Sequence, residues 1–207
     1  MAEAVTVTVV DADHEPIRPK ASYVALFIFL PETHEWVIVQ RAESGRWAPV
    51  TETVEAEDMP ADEQHPKRSV IDSVARRSLA EELGFRHEGH FWVSGKALDV
   101  KSGERQRHFK VVFTCLTLEQ FAALRCDGKE LTGVQRITQT EVQAKLALQH
   151  DFPLTDILQS PAVWNLVYAW GRLLSEFGDE LLHKLPDDSR YSGEDITAIL
   201  ANLSLAV

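Results

Sequence analysis

The stretch "RRSLAEELGF" (76–85) sets two adjacent acids, Glu81 and Glu82, directly before an apolar residue and a glycine. Ile71, Ala75, Leu79 and Leu83 recur every four residues. That spacing predicts a helix over 70–83 with one apolar stripe, ended by Gly84 in a left-handed conformation. Positions three and four apart share a helix face, so Ser78, Glu81 and Glu82 read as one polar face opposite the stripe through Ala75 and Leu79. Two carboxylates on a rigid helix suit a hard divalent cation shared with a diphosphate, because such cations take oxygen ligands and keep several waters. The plain alternative is a solvated helix end, in which Arg77 and Glu81 form an i,i+4 pair worth about 0.2–0.5 kcal/mol. Two negatives in a last turn oppose the helix dipole by about 0.3–1 kcal/mol, which favours a bound cation over decoration.

Upstream, "VTVTVV" (5–10) alternates branched residues with threonine and predicts a strand. "SYVALFIFL" (22–30) and "EWVIVQR" (35–41), separated by "PETH", predict an antiparallel hairpin whose strands are covered on both faces. Between Glu52 and Glu63 lie Glu52, Glu55, Glu57, Asp58, Asp62 and Glu63 with no basic residue, so the segment 51–68 reads as a mobile loop. Downstream, "FWVSGKALDV" (91–100) and "HFKVVFTCLTL" (108–118) read as strands joined by the polar "KSGERQR", and "VQRITQTEVQAKL" (134–146) as a strand running into a short helix. Ser160-Pro161 then opens a long amphipathic helix over 161–184, with Val163, Leu166, Val167, Trp170, Leu173, Leu174, Phe177 and Leu181 at helical spacing. A shorter helix is expected over 192–205.

With these elements placed, "RRSLAEELGF" resembles the second half of the Nudix signature, G-x5-E-x7-R-E-U-x-E-E-x-G-U with U a bulky aliphatic residue. Arg77 takes the signature arginine, Leu79 the first U, Glu81 and Glu82 the paired acids, Gly84 the glycine, and Phe85 stands at the last U. Ser78 replaces one metal-facing acid, Ser69 the earlier glutamate and Glu63 the first glycine. Trp47, Pro49 and Glu55 in "WAPVTETVE" match the family's upstream segment in outline, with Thr51-Glu52 where two glycines would stand.

The resemblance implies an α/β (α+β) fold, an α/β/α sandwich with a mixed sheet over 1–150. A C-terminal helical extension over 151–207 would pack on it or form a homodimer contact. It also implies Mg²⁺ or Mn²⁺ held by Glu81 and Glu82, with phosphates neutralised and water activated for attack on phosphorus. Arg77, Glu82 and Glu55 are the catalytic candidates that follow, with Glu104 and Glu130 as other candidate bases. Trp47 and Arg105 are the substrate-binding candidates, beside Phe91, Lys96 and Arg107. His65, His87 and His90 lack metal-ligand spacing.

The 207 residues carry a formal net charge of -11 and a pI near 5.2, which argues against a nucleic-acid surface. Cys115 and Cys126 form no zinc or disulfide pattern. No apolar run approaches the roughly 18 residues of a membrane span, and the N-terminus lacks a signal-peptide pattern, so a cytoplasmic location is expected. Two functions compete. One is a divergent hydrolase of a small nucleotide-like diphosphate; the other is a catalytically inactive Nudix-fold module that binds a nucleotide or a protein.

Overall fold

Why the β-branched hairpin is covered on both faces is plain in the computed structural model, which describes residues 5–12, 17–59, 67–148 and 153–182. The first strands are β1 (Val5–Asp11), β2 (Ser22–Leu30) and β3 (Glu35–Arg41), followed by the short β4 (Trp47–Ala48) and β5 (Val50–Thr53). Helix α1 (Lys67–Leu83) precedes β6 (Trp92–Ser102) and β7 (Arg105–Cys115). Then come α2 (Leu118–Ala123), β8 (Leu131–Ile137), α3 (Gln139–Leu148), α4 (Asp156–Gln159) and α5 (Pro161–Leu182). Among the described residues the strands form one eight-stranded sheet in the order β1-β6-β7-β2-β3-β4, with β5 on β2 and β8 on β3. It is mixed, because β2 and β7 run parallel while the other pairs are antiparallel.

Alternate residues of β2 serve two cores, as the two-residue period of a strand requires. Phe27 and Phe29 join Trp36, Phe113 and the α5 residues Val163, Val167 and Trp170 on one face. Leu26, Ile28 and Leu30 join Val37, Val39 and the α1 residues Ile71, Ala75, Leu79 and Leu83 on the other. The result is a helix–sheet–helix sandwich. Trp170 is fully buried and stacks on Phe113 at 4.6 Å between ring centroids. The expected helix over 192–205 lies outside the described residues, as do residues 183–184 of the long helix.

The phrase "LGF" closes α1 as its residues suggest. Gly84 has φ +60°, the left-handed region that a Cβ disfavours, and the Phe85 N–H donates back to the Leu79 carbonyl at 3.0 Å. The carbonyls of Glu82 and Leu83 accept from Asp127 and Arg125 at 3.0 and 2.9 Å, so the last turn is satisfied by the chain that follows α2.

Three local expectations need correction. Residues 51–53, expected as loop, belong to strand β5, because Tyr23, Val24, Ala25 and Leu26 of β2 offer it a partner. The acidic segment continues as a 3-10 turn over Ala56–Asp58 that Arg77 ties down, while residues 60–66 lie outside the described residues. Strand β7 ends at Cys115 rather than 118, because Thr117 and Gln120 form a reciprocal capping box that starts α2.

Candidate functional site

Helix α1 presents two parallel rows to the sheet, not one. Beside Ile71, Ala75, Leu79 and Leu83 runs a second row one residue earlier, in which Val70, Val74, Ser78 and Glu82 are 3%, 0%, 1% and 2% exposed. Ser78 is therefore buried, and its hydroxyl donates to the Ala75 carbonyl at 3.0 Å. This corrects the expectation that Ser78, Glu81 and Glu82 share an open face. Adjacent helical residues do not face one another. Glu81 accordingly points to solvent with its side chain 62% exposed, while Glu82 points inward.

Among the described residues Glu82 meets one oppositely charged partner. The Arg41 guanidinium donates to its Oε2 at 3.2 Å, and its Oε1 is buried with no hydrogen-bond partner among the described residues. Burial pushes the Glu82 carboxyl up to about 8. Arg41 opposes that shift, and the charges of Glu52, Glu130 and Asp127 add to it. Arg41 reaches this position from the end of β3, where the register against β8 shifts between Gln40 and Arg41. Such a bulge re-aims a side chain. A second anchor fixes the guanidinium, which donates to the Thr51 carbonyl at 2.7 Å and to the Thr51 hydroxyl.

Protonation of Glu82 couples the fold to pH. Between the ordinary carboxylate range near 4.5 and about 8, folded Glu82 keeps a proton that the unfolded chain has released. Its contribution therefore makes stability fall as pH rises through that window. Every tenfold change in proton affinity is worth about 1.4 kcal/mol, so the window carries several kcal/mol. Glu82→Gln is expected to flatten the difference between denaturant unfolding at about pH 5 and about pH 8. Parallel wild-type and variant profiles would contradict this.

Arg77 acts as a clamp. It donates to the Asp58 carboxylate at 2.9 and 3.2 Å and to the Thr53 carbonyl at 2.9 Å, with Glu81 at 3.4 Å and Glu52 at 3.6 Å. The signature arginine thus ties α1 to β5 and the 3-10 turn. Partial burial acts to lower its pKa, but the Asp58 hydrogen bonds and surrounding acids leave it above its ordinary value. Burial raises the pKa of Glu52, against the Thr53 N–H and Arg77 that stabilise its charged form.

A cavity of about 680 Å³ opens beside this network, lined by Tyr23, Arg41, Glu43, Ser44, Thr51, Glu52, Thr53, Arg107, Phe109, Lys129 and Glu130. Tyr23 and Phe109 lie 5.1 Å apart, and the Arg107 guanidinium sits 5.6 Å over the Tyr23 ring. Arg107 and Glu130 are sequence candidates that the fold brings to this cavity. Arg41, Tyr23, Phe109 and Lys129 escape the sequence reading, and the readable signal for Arg41 is a charge ending a buried strand.

The remaining sequence candidates fall elsewhere. Arg105 is exposed at the start of β7, opposite Ser102 in the hairpin, and does not line the cavity. Trp47 packs on the α5-side core, pairs with Gln40, and exchanges backbone hydrogen bonds with Pro153 and Thr155. The Glu55 N–H donates to Asp58 at 2.8 Å at the head of the 3-10 turn. Phe91 is buried in the α1-side core under the Arg76 guanidinium, and Lys96 pairs with Asp11 at 2.7 Å. His65 lies outside the described residues.

Do these residues fit a divalent ion? Glu81 faces solvent and Arg77, Glu82 faces Arg41, and the Ser78 hydroxyl is spent on its own helix. Among the described residues no three His, Cys, Asp or Glu side chains converge in a metal-holding arrangement. The donor set does not fit the metal that the Nudix signature implies.

No protein-family profile matches the sequence, and no curated protein resembles it at a significant level. Solved structures do. A pyrophosphohydrolase of Bacillus subtilis is 14% identical, with a TM-score of 0.50 over 79% of this chain and 87% of that one. The Nudix domain of Shewanella oneidensis NrtR, complexed with ADP-ribose, is 12% identical with a TM-score of 0.49, over 77% of this chain and 95% of that one. The C. elegans Ap4A hydrolase is 13% identical with a TM-score of 0.49, covering 76% and 99%. At such identities the likeness is one of fold.

Proposed function

Taking the Nudix fold as established, we propose that this chain binds a small nucleotide-like diphosphate in the cleft beside α1 and does not hydrolyse it by metal chemistry. One observation carries the reading: the buried signature acid, Glu82, is engaged by Arg41, which lines the cleft, and among the described residues no set of three acids converges to hold a metal. The cleft volume of about 680 Å³ suits a small molecule. Its wall mixes three kinds of group. Arg41, Arg107 and Lys129 supply charge for phosphates, and Glu43 and Glu130 accept from sugar hydroxyls. Tyr23 and Phe109 offer a surface for a ring. A nucleoside diphosphate carries all three complements, and a bare anion only the first. The name of the Bacillus subtilis neighbour, a pyrophosphohydrolase, points to the same ligand chemistry.

Hydrolysis is the second reading. It is favoured by the buried, unpartnered Oε1 of Glu82 and by a pKa near neutrality, the condition of a general base. One panel separates the two. The full chain is titrated calorimetrically with nucleoside diphosphates and ADP-ribose, and product release is followed with Mg²⁺ or Mn²⁺ present. Saturable binding weakened by about tenfold in Arg107→Ala, with no turnover above the Glu82→Gln protein, is expected. Turnover lost in Glu82→Gln would establish the hydrolase instead. Absence of both binding and turnover would remove the cleft as a nucleotide site.

A further inference from the structure

We infer that the Arg41 guanidinium stands in this chain where a divalent ion would stand, so that the cleft takes a diphosphate-bearing nucleotide without metal; this rests on the binding reading above.

The geometry begins with the bulge that ends β3. It turns Arg41 toward α1, where Nη1 donates to Glu82 and Nη2 to Thr51, so the cation is held at two points before any ligand arrives. A guanidinium has five N–H donors in a planar fork matched to phosphate oxygens. Among the described residues three go to Glu82 and Thr51, which leaves two, and the side chain lines the cleft. Arg107 and Lys129 line the same cleft, so a diphosphate entering it meets three positive groups from β3, β7 and the 128–130 turn.

The chemistry opposes a metal at the same point. A cation on the Oε2 of Glu82 would have to displace Arg41, which would then lose its buried carboxyl partner. Restoring a third acid is blocked as well, since Ser78 sits 1% exposed under the sheet. Glu81 is turned away to Arg77 and solvent. A charged fork already bound to one carboxyl can still donate to phosphate oxygens from its free N–H groups, and a pre-fixed donor loses little freedom on binding.

The test is a calorimetric titration of the full chain with ADP, in excess EDTA and in excess Mg²⁺. Affinities within about twofold of each other are expected, with Arg41→Met weakening ADP by at least about tenfold in EDTA. Because Arg41→Met leaves Glu82 without its partner, its fold is checked by circular dichroism and a second variant is read beside it. Glu82→Gln puts a neutral amide of the same shape in place of the group that shares Arg41, so ADP in EDTA is expected to bind at least as tightly as it does to wild type. Binding that appears only with Mg²⁺ would overturn the inference and leave the cleft reading standing. So would loss of ADP binding in Glu82→Gln, or an unchanged affinity in a folded Arg41→Met protein. No ADP binding under either condition would overturn both.

Discussion

A chain ending at His150 is expected to lose cooperative folding and to aggregate. Helix α5 is one of the two outer layers of the sandwich, not an appendage. Val163, Trp164, Val167, Trp170, Leu173 and Leu174 are each 2% exposed or less, packed in the core that includes Phe27, Phe29, Trp36 and Phe113. Removing the helix would open that aromatic face to water, a contiguous apolar surface larger than the few hundred Å² that monomers tolerate. A single truncation within it should already be severe. Trp170→Ala leaves a void against Phe113 and is expected to cost about 3–5 kcal/mol, against a total stability of roughly 5–15. Near-ultraviolet circular dichroism and size-exclusion chromatography check the truncated chain, and urea denaturation checks Trp170→Ala. A soluble, monomeric, cooperatively unfolding truncated chain would show that this layer is dispensable.

Ser78→Glu is expected to destabilise the fold without creating a metal site. The position lies in the covered row Val70-Val74-Ser78-Glu82, so the new carboxylate is forced into the α1–sheet interface one turn from a carboxyl that already resists ionisation there. An uncompensated buried charge costs on the order of 3–5 kcal/mol. The sequence alone suggests the opposite, a third ligand on an open face that tightens Mn²⁺ binding. Urea denaturation together with Mn²⁺ calorimetry decides between them. A variant as stable as wild type that binds Mn²⁺ tightly would restore the metal-site account.

Much of the architecture is legible because it is encoded within short windows. Alternation of branched and polar residues marks β1, continuous apolar runs mark β2 and β3, and the Gly84 stop needs only its own neighbours. The long apolar spacing from Val163 to Leu174 likewise announces a covered helix. Helix α2 stays hidden because a six-residue helix has too few turns to show a period, and its capping box sits at the end of an apolar strand. Residues 51–53 read as loop because their strand depends on β2 for its hydrogen bonds.

The candidate site is legible in part. Arg77, Glu81, Glu82 and Gly84 are recognisable at their spacing, but spacing states only which residues neighbour each other along the helix. Rotation of α1 against the sheet is set by the packing of Ile71, Val74, Leu79 and Leu83 against β2 and β3, and that rotation buries Ser78 and Glu82 while exposing Glu81. The partner of Glu82 comes from 41 residues upstream, delivered by a bulge whose register depends on β8, a strand about 90 residues further along the chain. By itself the sequence determined the longer elements, their order and the helix stop, because those follow from local periodicity and backbone preference. Only the tertiary structure decided which acid meets a cation and which meets water, because burial and charge pairing belong to surfaces that exist once distant strands have paired.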